Sequence, residues 1–118
     1  MVDLDRLEAI LTAAARERRD VTYGALLASL GFMLGPRNVN ALCRDLFRLE
    51  ERMAGAPELA CLVVRKDDGL PGRGYFAGLA AREGLATVPE GDDARAWLRR
   101  RQAQAFDWAE RLPPEEGL

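Results

Sequence analysis

Residues 35–53, GPRNVNALCRDLFRLEERM, decide the fold. At about 100° per residue, Val39, Leu42, Leu46, Leu49 and Met53 share one sector, and Arg37, Arg44, Arg48 and Arg52 share the opposite one. The apolar sector needs a core; the basic sector needs water or an anion. Pro36 suits a first helical turn, where its missing N–H and fixed φ do no harm, and Gly55 with Pro57 supplies the stop. The pattern predicts a helix of roughly four turns that displays an arginine stripe.

Upstream of this helix, Val21 forms a short extended segment and Thr22 caps a helix carrying Leu26, Leu27 and Leu30, which Gly31 ends in the left-handed conformation. Further upstream, Asp3 caps an amphipathic helix with Leu4, Leu7, Ile10, Leu11 and Ala14 at helical spacing. Short helix, tight turn and longer helix make a helix-turn-helix pattern whose second helix is offered to a partner.

Downstream, Leu59 to Arg65, LACLVVR, is an apolar, valine-bearing run of strand length. Residues 66–74, KDDGLPGRG, are turn chemistry, and Tyr75 with Phe76 then starts a returning strand, so that the hairpin is a wing. Ala77 to Glu83 begins another short helix. Asp92 or Asp93 caps a last helix that buries Trp97, Leu98, Ala105, Trp108 and Ala109 before Pro113 and Pro114 stop it. The expected fold is α+β: a winged helix-turn-helix with flanking N- and C-terminal helices and a small β-hairpin wing. It forms a single domain over 1–118, with an N-terminal helix in 1–19, the winged-helix core in 20–80, the C-terminal helix in 92–112 and a frayed tail at 113–118.

Composition narrows the chemistry. In 118 residues, 48% apolar and 31% charged, there is no histidine, which excludes Ser-His-Asp and Cys-His nucleophiles, a histidine general base and an ordinary catalytic zinc site. Cys43 and Cys61 are too few for a disulfide framework or a structural zinc site, and both are expected to be free and buried. No cofactor or metal is expected. No apolar run is long enough to span a bilayer, so a cytoplasmic address without membrane association is expected. The net charge of −2 opposes indiscriminate binding to nucleic acid but leaves room for a local basic face.

The arginine stripe has two readings. Arg37, Asn38 and Asn40 at the helix start have the chemistry to pair with base edges, and Arg44, Arg48 and Arg52 the chemistry to hold phosphates. Alternatively the stripe is a solvated face, its field weakened by Asp45, Glu50 and Glu51 on the same helix. Gly69, Gly72 and Gly74 lack the spacing of a phosphate loop and fit a tight turn, where Lys66 and Arg73 sit within reach of a backbone phosphate or merely aid solubility. Cys61, in an apolar strand, should have a raised thiol pKa. Trp97, Phe106 and Trp108 form a core or docking seam.

With these residues placed, positions 21–79, about half of the 118-residue chain, resemble the C-terminal DNA-binding domain of O6-alkylguanine-DNA alkyltransferases and their non-catalytic alkyltransferase-like relatives. The family's V-[ST]-Y, P-R-x-V-x-x-A, P-C-H-R-V-V and G-x-Y…G-L segments correspond to VTYGALLASLG, PRNVNALCR, LACLVVRKDDG and GRGYFAGLA. The resemblance implies that Tyr23 matches the tyrosine that rotates the target phosphate and Arg37 the arginine that replaces an extruded base. It also implies that Tyr75, Ala60 and Cys61 lie at the base pocket. When Val63 and Val64 are matched to the family valines, Ala60 occupies the reactive-cysteine position, Cys61 the histidine and Leu62 the arginine. The resemblance therefore implies binding without alkyl transfer, since nothing would activate a thiol. TYG, LVVRKDDGLPGRGY and FDW also resemble a set of small bacterial proteins with a T-Y-G, then L-G, then L-V-V-x-K-x-x-G-x-P-G-x-G-[FY] pattern and a late tryptophan helix.

The expected function is non-catalytic DNA binding, with duplex DNA as partner and a modified or extruded base as the recognised feature. The alternative is a protein-interaction adaptor, or a homo-oligomer, that docks through the aromatic C-terminal helix, as an acidic pI of about 5.2 permits.

Overall fold

The computed structural model describes residues 3–113. Helix α1 spans Leu4–Arg16 and opens on Asp3, whose carboxylate accepts from the N–H groups of Asp5 and Arg6. Strand β1 is Val21–Thr22, and α2 follows at Tyr23–Ser29, with Thr22 Oγ1 accepting from the Ala25 N–H at 3.1 Å. Gly31, at φ 88°, turns the chain out of α2. Helix α3 is Pro36–Arg52, with the proline in its first turn. A 3₁₀ turn at Ala60–Leu62 leads into strand β2, Val63–Val64; α4 is Arg73–Glu83 and α5 is Gly91–Glu110.

The architecture is mixed and dominated by its five helices, around a two-stranded parallel sheet. Val21 pairs with Val63 and Thr22 with Val64. The pairing is parallel because α2 and α3 form the crossover between the strands. Leu7 and Leu11 of α1, Leu26 and Leu27 of α2, Leu42, Leu46 and Leu49 of α3, Leu62 to Val64, and Leu98, Ala105 and Ala109 of α5 are buried in one core. A smaller cluster joins Phe76 and Leu79 of α4 to Ala94 of α5. Polar ties fix the turn after α1 to α5: Arg18 reaches Glu110 at 2.7 Å and Asp107 at 3.3 Å. Among the described residues, no helix is long and apolar enough to cross a membrane.

Three expectations are corrected. The expected β-hairpin wing is replaced by a turn that leads into a helix: Tyr75 and Phe76 lie in α4, where Phe76 and Leu79, three residues apart, face α5. The strand expected over Leu59 to Arg65 contracts to Val63–Val64, since Ala60–Leu62 forms a 3₁₀ turn. The side chains of Asp92 and Asp93 do not cap α5; Glu90 is at the cap position without a side-chain hydrogen bond, and the two aspartates lie in the first turn, where they favour the positive end of the helix dipole. The turn chemistry itself is present: Asp68 Oδ1 accepts from the Leu70 N–H at 3.0 Å, and Gly69 has φ 68°. From residue 114 onward, the expected frayed tail lies outside the described residues.

Candidate base-binding cleft and arginine ridge

Helix α3 does two jobs because its sides differ. Leu42, Leu46 and Leu49 anchor it in the core, while Arg37, Asn40, Arg44, Phe47, Arg48 and Glu51 are exposed along its outer ridge. Arg37 and Arg44 make no ion pair among the described residues. Arg48 keeps 59% of its side chain exposed while meeting the buried Asp45 at 3.4 Å. Arg52 leaves the stripe: its guanidinium binds Asp5 at 2.8 Å and Glu8 at 2.7 Å, both on α1. The available basic ridge is therefore Arg37, Arg44 and Arg48.

Asn38 has a different place from the one expected. Its Nδ2 donates to the Met33 carbonyl at 2.7 Å, so the side chain clamps the turn before α3 instead of facing outward. The clamped turn exposes Met33 and Leu34, 84% and 65% accessible. Asn40 remains exposed, as does Lys66 in the loop that precedes α4. Arg73 is the first residue of α4, and its side chain lies outside the described residues.

On one flank of the ridge, α3 and α4 enclose a cleft of ≈ 360 Å³. Cys43, Phe47 and Glu50 form its α3 side; Tyr23 of α2 and Ala60 border it; Gly74, Tyr75, Gly78 and Arg82 form its α4 side. Tyr23, Ala60 and Tyr75, which lie on separate segments of the sequence, thus meet at one cavity. Cys61 does not join them. It is fully buried, with Sγ donating to the Glu58 carbonyl at 3.3 Å, and burial followed by the nearby Glu58 and Glu50 carboxylates pushes its thiol pKa well up. Arg37 stands in the first turn of α3, about 9 Å along the helix axis from Cys43.

The cleft is held by a polar frame. The Tyr23 hydroxyl accepts from the Gly72 N–H at 3.2 Å. Glu58 accepts from the Tyr75 hydroxyl through one oxygen and from Arg82 at 3.1 Å through the other. Gln102 of α5 donates to the Cys61 carbonyl at 3.0 Å and steadies the chain behind Ala60. Burial, then the Glu58 hydrogen bond, raises the Tyr75 pKa; burial also raises that of Tyr23, partly offset by the Gly72 N–H. Both phenols are neutral at neutral pH.

Cys43 is exposed, which corrects the expectation of a buried thiol, though burial of part of its surface raises its pKa. Residues 43, 47, 50, 78 and 82, and the supporting Glu58, are not legible as cleft residues in the sequence, because the cavity exists only where α3 and α4 come together. Among the described residues, no three His, Cys, Asp or Glu side chains converge as metal ligands would. The aromatic rings of α5 are already engaged: Arg100 lies 4.6 Å from the Trp97 ring centre, and Arg18 5.3 Å from that of Phe106. No family model matches the chain, and no curated protein or solved structure matches it.

Proposed function

We propose that this chain is a non-catalytic DNA-binding protein that meets the duplex with the α3 ridge and receives an extruded, modified base in the cleft between α3 and α4. The reading treats β1, α2 and α3 as the helix-turn-helix part of a winged-helix scaffold in which the segment after β2 ends in a helix. The observation that carries it is the adjacency of two features. Arg37, Arg44 and Arg48 are exposed along one side of α3, and the cleft on its flank gathers Tyr23, Ala60 and Tyr75, residues that the alkyltransferase resemblance assigns to nucleotide handling. On this reading the exposed arginines hold phosphates and the adjoining cavity takes the base.

Binding without covalent transfer goes with the same residues. Ala60 stands where the resemblance expects the reactive cysteine, Cys61 beside it is buried, and burial raises the pKa both of Cys61 and of Cys43 on the α3 side of the cleft, with no histidine to activate either. A cytoplasmic address goes with this reading. Docking of a protein partner through α5 has less support, because Trp97 and Phe106 already stack on arginines of this chain.

Fluorescence anisotropy with a labelled duplex at low salt tests the proposal. Binding should weaken steeply as salt rises, and the double variant Arg44→Glu, Arg48→Glu should abolish it. Absence of binding, or binding indifferent to the charge reversal, overturns the reading.

A further inference from the structure

Gly78 stands in the interior of α4, where glycine costs about 1 kcal/mol relative to alanine. Nothing in the fold demands it: its φ is not positive, and a Cβ built there meets no atom within 4 Å. Gly74, one turn earlier, is equally unconfined. Both glycines line the cleft, so this side of α4 offers bare backbone to open space. The cavity's size falls in the usual range for small-molecule sites, about 300–1,000 Å³.

The cleft also carries charge. Arg82 on α4 is neutralised by Glu58 across 3.1 Å, with the Tyr75 hydroxyl also bound to Glu58. Glu50 borders the cleft from α3 and makes no hydrogen bond or ion pair among the described residues. Arg82 attracts the Glu50 carboxylate from a distance but is already engaged by Glu58, so the three groups leave one net negative charge, and Tyr23, Phe47 and Tyr75 supply aromatic surface beside it. Aromatic faces attract cations, and an unpaired carboxylate adds a Coulombic term that grows as water is displaced. A neutral base of equal size can offer Glu50 N–H hydrogen bonds but no net charge to offset the water it displaces, so the same carboxylate favours the cation over it.

From this cavity we propose that the α3/α4 cleft selects a positively charged, N-alkylated purine over a neutral base. This inference rests on the DNA-binding reading above and names the class of base that the cleft accepts.

The test uses three duplexes that differ only at one guanine: unmodified, O6-methylated, or N7-methylated on a 2′-fluoro sugar that prevents base loss. Anisotropy titrations should give about tenfold tighter binding to the N7-methylated duplex than to either other. Glu50→Gln should abolish that preference, and so should Gly78→Leu, which fills the open space while favouring helix; circular dichroism checks that both variants are folded. Equal affinity for all three duplexes, or a preference for the O6-methylated one, overturns the inference and leaves DNA binding intact. A preference that survives Glu50→Gln also overturns it. Failure to bind any duplex overturns the DNA reading instead. The cleft is then judged by NMR titration with free 7-methylguanosine and guanosine: shifts around the cleft with the first alone support cation selectivity, and their absence refutes it.

Discussion

The Tyr23 hydroxyl accepts a hydrogen bond from the Gly72 N–H at 3.2 Å, tying the first residue of α2 to the residue that precedes α4. The bond spans 49 positions of sequence and fixes one end of the cleft. Tyr23→Phe keeps the ring but leaves a part-buried N–H without its acceptor. The variant should lose about 1 kcal/mol of stability, measured as a lower urea midpoint with an unchanged slope. If Tyr23 also handles a phosphate, DNA affinity should fall by more than the loss of stability accounts for.

The two thiols should separate cleanly by reactivity. Cys43 is exposed beside Tyr23, whereas Cys61 is fully buried and its thiol pKa is well above the ordinary range. A disulfide reagent should titrate one thiol in the native protein, and the second only in denaturant. Cys43→Ser should remove the native reaction altogether.

Local patterns made much of the fold legible. Asp3 and Thr22 cap their helices, Gly31 takes a positive φ, and the apolar sector of α3 is buried, because each of these depends on residues a few positions apart. The expected wing fails for the same reason. Gly72, Gly74, Tyr75 and Phe76 favour turn then strand by local preference, whereas α4 is fixed by packing Phe76 and Leu79 on Ala94, a distant partner. Of the candidate site, Tyr23, Ala60 and Tyr75 were reached through resemblance. In the sequence Glu50 is legible only as a charge that weakens the arginine field, because its place at the cleft depends on where α4 docks.

Arg52 and Arg44 should respond to mutation in opposite ways. Arg52→Glu would break both bonds to α1 and set three carboxylates together, so it should lower the thermal midpoint, with the loss reduced at high salt. Arg44→Ala, exposed and without an ion pair among the described residues, should leave the unfolding free energy within about 0.5 kcal/mol of wild type. It should instead lower the slope of log affinity for DNA against log salt by about one.

Two glycines of α4 should differ in sign. Gly78→Ala places a methyl where nothing lies within 4 Å and should stabilise the protein by about 0.4–1 kcal/mol. Gly84 ends the helix at φ 66°, so alanine there is strained however open the space, and should destabilise by about 1 kcal/mol or more. Denaturation of the two variants side by side checks both signs. A stabilising Gly84→Ala would mean that the helix ends differently.

Glu50 provides the pH prediction. Burial, then the neighbouring Glu58, raises its pKa above the ordinary glutamate value, with Arg82 opposing the shift. A carboxyl with a higher pKa in the folded protein binds more protons folded than unfolded as pH crosses the interval between the two values. Its contribution to stability therefore falls as pH rises through that interval and is fully restored below the unfolded value. Glu50→Gln removes the penalty of holding a carboxylate there, so it should raise the thermal midpoint at pH 7. At a pH below about 4, where the unfolded glutamate is itself protonated, the two proteins should converge. Melting curves of both across that range decide the matter: a variant less stable than wild type at pH 7 would show that Glu50 has a stabilising partner, and would remove the unbalanced charge on which the selectivity of the cleft depends.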